Sequence, residues 1–286
     1  MPNIEQDFSH TTLGRTGLKV FRLGLSATYW PGKKIIYKAI DEGINFFFFF
    51  NFDLQMVRVL RDVFQSRRDD FVVSTGAYNW SIGHLNLQRT LEKRLRKLKT
   101  DYIDVFYFLG VLRERELTDH VLEEFQKFRD EGKIRSFGIS THNREFAGQL
   151  VKKGDLDVYM MRYNAAHRGA EREIFPYLEK SNPGIVSYTA TRWTYLLRRP
   201  KGWPKDGRIP TAGMCYRFVL SNPHVHVCLT APRNLKQFNE NLAAVYEGPL
   251  NQEDMKFMRT FGDAVHKVSR KGYGRIIPFS RSRAEN

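Results

Sequence analysis

Eight times in about 230 residues, a short β-rich apolar run is followed by an amphipathic stretch of helical period. The runs are RLGLSA (22–27), INFFFFF (44–50), FVVST (71–75), YIDVFYFL (102–109), IRSFGIS (134–140), LDVYMMRY (156–163), GIVSYTA (184–190) and VHVCL (225–229). Between them lie KKIIYKAIDEG, DLQMVRVLRDVFQ, LNLQRTLEKRLRKL, TDHVLEEFQKFRDEG, REFAGQLVKKG, AEREIFPYLEK and TAGMCYRFVLS, and NLKQFNENLAAVYEG follows the last run. Gly43, Gly132, Gly154 and Gly248 each close one of these stretches, as expected of left-handed helix caps. Strict strand-helix alternation returns the chain to the same end of the sheet each time, so the strands are parallel and the helices lie outside. Eight such units at this length predict an α/β fold of the closed (β/α)8, or TIM, barrel type. An open dinucleotide-binding sheet would carry a GxGxxG turn after an early strand, and the sequence has none.

The predicted organisation is one domain over 1–286: a hairpin at 10–21 covering the barrel bottom, the barrel at 22–248, and a helix with a basic tail at 249–286. The segment 191–210, with three Pro and two Gly, reads as an excursion after the seventh strand. A 42% hydrophobic content excludes a disordered chain. No apolar run approaches the ~18 residues of a membrane helix, and the start MPNIEQDFSH lacks the pattern of a secretion signal. Two cysteines, Cys215 and Cys228, are too few for a disulfide framework, so a cytoplasmic location is expected. The net charge of +15 comes with no nucleic-acid-binding signature. In RTLEKRLRKLK (89–99) the charges read as the wet face of an amphipathic helix. The expected partner is a small-molecule substrate or nucleotide, with a basic rim around a phosphate-bearing ligand.

In the five-Phe strand, Phe46, Phe48 and Phe50 should face one way and Phe47 and Phe49 the other. A barrel strand is buried on both faces, so such a run reads as core filling.

In order along the chain, LGRTGLKVFRLGL, AIDEGINFF, LEKRLRKLKTDYIDVFYF, GKIRSFGIS, RYN, GIVSYT and RNLKQFNENLAA resemble the aldo-keto reductases over roughly residues 11–246. The resemblance implies a (β/α)8 barrel that binds NADP(H) across the C-terminal ends of its strands and reduces carbonyls by hydride transfer. It also implies a tetrad of aspartate, tyrosine, lysine and histidine, and here all four positions depart. Phe48 stands at the aspartate, Asp53 at the tyrosine, Gly76 at the lysine and Leu109 at the histidine. Phe48, Gly76 and Leu109 cannot ionise, and losing general acid catalysis alone costs ~10²–10⁴-fold in rate.

The cofactor positions are better kept. By the same resemblance, Tyr188 would stack on nicotinamide with Thr189 beside it, and Arg233 and Asn234 match a pair whose arginine would meet the adenosine 2′-phosphate. Gln237, Glu240 and Asn241 would hold the adenine. Ser140 matches a serine after the fifth strand, Thr141 replaces an asparagine, and Met160 replaces a glutamine. Retained adenosine contacts with altered redox contacts fit an NADP(H)-binding oxidoreductase with a displaced acid. They also fit a catalytically inactive nucleotide-sensing pseudoenzyme or scaffold, or a lyase or isomerase reusing the barrel mouth.

If catalysis persists, its groups should stand at the strand tops. Candidates for acid or base are Asp53, Tyr78, His142 and His167, and candidates for substrate contact are Tyr29, Trp30, Trp80, Arg162 and Asn164. A histidine titrates near neutral pH, and an arginine clamps carboxylate or phosphate. His224, His226 and Cys228 alternate on one strand without an evident fourth ligand, and no metal site is predicted. Trp193, Tyr195 and Trp203 form either an aromatic wall of the pocket or a packed loop.

Overall fold

The computed structural model describes residues 7–49, 53–78 and 86–270. An antiparallel hairpin of β1 (His10–Thr12) and β2 (Lys19–Phe21) precedes eight parallel strands. These are β3 (Leu23–Ser26), β4 (Phe46–Phe48), β5 (Val72–Tyr78), β6 (Ile103–Leu109), β7 (Ile134–Thr141), β8 (Val158–Arg162), β9 (Gly184–Tyr188) and β10 (Val227–Thr230). They follow one another around the ring, and β10 closes it by pairing with both β9 and β3. Around them lie α1 (Lys33–Asp41), α2 (Leu54–Arg67), α3 (Leu87–Leu98), α4 (Asp119–Asp130), α5 (Arg144–Lys153), α6 (Ala170–Glu173), α7 (Ala212–Leu220) and α8 (Leu235–Tyr246). A last helix, α9 (Gln252–Arg270), follows the barrel. The (β/α)8 architecture with its hairpin and extra helix is therefore as the alternation predicts.

Local chemistry starts and stops the helices. Side chains of Asp53, Asn86, Thr118, Asn143, Thr211 and Asn234 each accept a backbone N–H from the first turn of α2, α3, α4, α5, α7 and α8. Such caps contribute about 1 kcal/mol apiece. Gly154 ends α5 at φ +81°, a conformation open to glycine at little cost. One expected helix is not continuous: AEREIFPYLEK (170–180) forms α6 and then a separate 3₁₀ turn, Phe175–Tyr177. Pro176 explains the break, since it has no N–H to donate and its ring collides with the carbonyl four residues earlier.

Side-chain alternation divides the strands between two cores. Phe46 and Phe48 point into the barrel with Val72, Val105, Tyr107, Leu109, Val158, Met160, Val186, Val227 and Leu229. Phe47 and Phe49 point outward to the helices. The hairpin contributes Leu13 and Val20 to the inner core and so plugs one end. Its Gly14 lies so close to the chain before β9 that a Cβ would stand 2.5 Å from the Asn182 carbonyl oxygen.

Two buried carboxylates near the N-terminal ends of β6 and β8 tie neighbouring segments together. Asp104 accepts from Arg68 Nη2 at 2.7 Å, Arg135 Nη1 at 3.2 Å and the Val73 amide at 2.9 Å. Asp157 accepts from Arg15 of the hairpin at 3.1 Å, Arg129 at 3.2 Å and the Phe137 amide at 3.1 Å. The opposite, C-terminal end of the ring is the end at which (β/α)8 enzymes carry their active sites.

Candidate active site at the barrel mouth

The inner side chains grade from apolar at the plugged end to mixed at the mouth. Phe48 and Leu109 are buried, and Phe48 meets Tyr107 edge-on with ring centroids 6.3 Å apart. Gly76 lies between neighbours that leave no room. A Cβ there would stand 2.3 Å from the Tyr107 carbonyl oxygen and 2.9 Å from Leu109 Cγ. Phe48, Gly76 and Leu109, on β4, β5 and β6, are thus packed as hydrocarbon.

Two residues beyond Gly76, on the same inward face of β5, stands Tyr78. It is half-buried, and burial pushes its hydroxyl up to about 12, opposed by the nearby positive charge of Arg94. Arg94 belongs to α3 and is 4% exposed, which corrects the reading of that helix's charges as one wet face. Burial brings its guanidinium down to about 10. Leu87, Leu91, Arg94 and Leu98 form the buried stripe, so an arginine takes an inward position between leucines.

Across the mouth, Tyr188 at the end of β9 pairs in register with Arg162 at the end of β8. The Tyr188 hydroxyl lies 3.3 Å from His142 Nδ1. Burial raises the pKa of Tyr188. Desolvation against the barrel top, and then the charge of Arg162, lower that of His142. His142 is therefore neutral at neutral pH.

The remaining acid/base candidates have structural partners. Asp53 is buried as the N-cap of α2: its Oδ1 accepts the Met56 amide at 2.9 Å, and its Oδ2 has no hydrogen-bond partner. Burial raises its pKa against the pull of the Met56 and Gln55 amides. His167 accepts a hydrogen bond at Nε2 from Arg192 Nε at 2.9 Å, and its ring lies 5.2 Å from that of His266 on α9. Burial first, then Arg162 and Arg192, bring His167 down to about 3, so it stays uncharged. Arg192 is itself fully buried, with its guanidinium over the Tyr195 ring at 5.4 Å. Nothing in the run TRWTYLL marked it as interior. The same loop holds Thr189, Arg192, Trp193 and Thr194 at positive φ, a conformation that costs a non-glycine residue about 1 kcal/mol or more.

Of the substrate candidates, Asn164 is wholly buried and joins the loops after β8 and β9, donating from Nδ2 to the Thr189 carbonyl at 2.9 Å. Tyr29 and Trp30 are exposed on the rim, 38% and 62% respectively. Arg162 is half-buried. Trp80 lies outside the described residues. Trp203 packs on α9, 4.9 Å from Phe261, whereas Trp193 and Tyr195 remain exposed.

The nucleotide candidates split into two groups. At the nicotinamide end, Ser140 Oγ accepts the Gly110 amide at 2.9 Å, Thr141 Oγ1 accepts the Asn143 amide at 2.9 Å, and Thr189 donates to the Tyr188 carbonyl. These hydroxyls mainly hold loops. At the adenosine end, Asn234 caps α8 by accepting the Gln237 amide, while Gln237 Oε1 accepts the Arg233 amide, both at 2.9 Å. Glu240 is exposed one turn further along the helix. Asn241 is 5% exposed; its Nδ2 donates to Thr230 Oγ1 at 3.0 Å, and its Oδ1 has no donor. An orphaned buried acceptor on the helix that follows Arg233 suits the exocyclic amine of adenine. The helix N-terminus suits a phosphate. These residues fit an adenosine phosphate, whereas the nicotinamide end offers fewer free polar groups.

His226 Nδ1 accepts the Ile185 amide at 3.0 Å, a role in the sheet. Among the described residues no group of three or more His, Cys, Asp or Glu is arranged to hold a metal ion. Nor is any helix long and apolar enough to cross a membrane.

A closed eight-stranded parallel barrel with a hairpin plug at one end defines a (β/α)8 protein. Residues 33–206 match the Aldo/keto reductase family, and the chain belongs to that family. It is 24% identical to the oxidoreductase YqkF of Bacillus subtilis (strain 168), covering 87% of this chain and 94% of that protein. It is 23% identical to the L-glyceraldehyde 3-phosphate reductase of Escherichia coli (strain K12), covering 70% of this chain and 66% of that one. Among solved structures it resembles the holo form of aldo-keto reductase AKR11C1 from Bacillus halodurans, with a TM-score of 0.76 and 21% identity. That match covers 90% of this chain and 97% of the other. It also resembles an aldo/keto reductase from Klebsiella pneumoniae in complex with NADP and acetate, with a TM-score of 0.69 and 21% identity. Here the match covers 89% and 95%.

Proposed function

We propose that this protein is an NADP(H)-binding oxidoreductase that reduces a carbonyl, or oxidises the corresponding alcohol, with Tyr78 as its proton donor. The observation that carries the reading is the place of Tyr78 on the inward face of β5, directly above the packed Gly76. A phenol there replaces an acid that the neighbouring strands no longer supply. Arg233, Asn234, Gln237, Glu240 and Asn241 would hold the adenosine, and Ser140, Thr141, Tyr188 and Thr189 would border the nicotinamide. A dinucleotide held by these residues would supply the hydride for the carbonyl carbon. Tyr78 is protonated at neutral pH, since its pKa lies at about 12, so its hydroxyl is ready to give a proton to the nascent alkoxide and recover one from water. The buried positive charge of Arg94 stabilises the phenolate left behind. Arg162 and the neutral His142 stand beside Tyr188 to orient the substrate.

The test is single-turnover oxidation of NADPH against a panel of aldehydes and ketones. Wild type should turn over a member of the panel, and Tyr78→Phe should lose about 10²–10⁴-fold in rate with little change in NADPH affinity. Equal rates for the two proteins would remove Tyr78 from the chemistry. A second reading, an NADP(H)-sensing protein without turnover, is favoured by the capping of Asp53 and the Arg192 bond to His167. It is the conclusion to draw if NADPH binds and no carbonyl oxidises it.

A further inference from the structure

Arg233 is exposed at the mouth, but its side chain is not loose. The guanidinium carbon lies 4.9 Å from the centroid of the Tyr29 ring. Tyr29 follows β3 and Arg233 follows β10, strands that are hydrogen-bonded neighbours in the barrel. The arginine backbone is fixed as well, because its amide donates to Gln237 Oε1 while Gln237 is held by Asn234. A ring under a guanidinium touches its flat face and leaves the N–H donors in the plane, where a phosphate accepts them.

We propose that Tyr29 is a positioning residue whose ring holds the Arg233 guanidinium in place for an adenosine 2′-phosphate, and that this contact sets the preference for NADP(H) over NAD(H). The proposal rests on the nucleotide-binding reading above and adds to it a residue from the adjacent loop. An unstacked arginine on the surface samples many rotamers and must be ordered by the ligand. With the stack in place, that ordering precedes binding. NADH has no 2′-phosphate and should not sense the difference.

Isothermal titration of wild type, Tyr29→Phe, Tyr29→Ala, Arg233→Ala and the Tyr29→Ala/Arg233→Ala pair with NADPH and with NADH tests it. Tyr29→Ala should weaken NADPH binding about two- to fivefold, the scale of an exposed cation–π contact, and leave NADH affinity unchanged. Tyr29→Phe keeps the aromatic face and should keep the wild-type ratio. In the Arg233→Ala background, Tyr29→Ala should have no further effect. An unchanged NADPH-to-NADH ratio in Tyr29→Ala, an equal loss for both dinucleotides, or a persistent effect without Arg233 overturns the assignment and leaves the nucleotide reading intact. Failure of wild type to bind either dinucleotide overturns both.

Discussion

Arg192 donates from Nε to Nε2 of His167 at 2.9 Å, so a buried cation is held by an imidazole that must remain uncharged to accept it. The lowered pKa of His167, about 3, fixes the direction of its pH linkage. The unfolded chain takes up a proton near the ordinary histidine pKa of ~6.5 and the folded chain does not. Acidification from about pH 6.5 toward pH 3 therefore removes stability, and raising the pH restores it. Urea titrations from pH 7 to pH 4 should show this slope, and His167→Gln should make it shallower by up to about one proton. His226, lowered to about 4 by burial, contributes in the same window and keeps the slope above zero.

By the resemblance, position 76 would carry the family's lysine, and placing a lysine there should not speed carbonyl reduction. Gly76 has no space for a Cβ beside the Tyr107 carbonyl and Leu109. Gly76→Lys should lower stability by about 1–3 kcal/mol, read as a fall in melting temperature, and give no gain in carbonyl reduction. Faster turnover from that single change would show that the site kept its old plan.

The barrel's order and contents were legible because they are periodic. Alternation gave eight strands and the facing of Phe46 through Phe49, and ordered motifs gave the family. Two things were not legible for physical reasons, and a third was legible but overlooked. Arg94 lies within a run of charges, and only packing against the barrel turns one of them inward. Arg192 and its left-handed neighbours sit in an aperiodic loop whose shape depends on α9 and the loop after β8. Asp53, at a catalytic position by motif, also precedes an amphipathic run, and its cap role required only that signal.

Asp104 holds two arginines from separate segments while completely buried. Burial raises its pKa, and Arg68 and the Val73 amide partly offset that rise. Asp104→Asn keeps the shape but removes the counter-charge of Arg68, while Arg135 retains Asp69 at 3.3 Å. Its cost should be about 3–5 kcal/mol by urea denaturation, as for other buried pairs that lose one partner.

Asn241 separates stability from binding. Its Oδ1 is buried without a donor, so an apolar replacement removes a desolvated group along with one hydrogen bond. Asn241→Leu should melt close to wild type and bind NADPH about tenfold more weakly, the scale of one lost hydrogen bond to the ligand. Unchanged affinity would place the adenine elsewhere.

The plug at the closed end also dictates when this chain can finish folding. Arg15 meets Asp157 across 142 residues of sequence, and its own amide bonds to Asn182 further on. During synthesis the hairpin therefore emerges long before its docking partners exist, and it must wait with Leu13 and Val20 uncovered until the later strands leave the ribosome. The stretch made early among the ordered elements is one of the last to find its place.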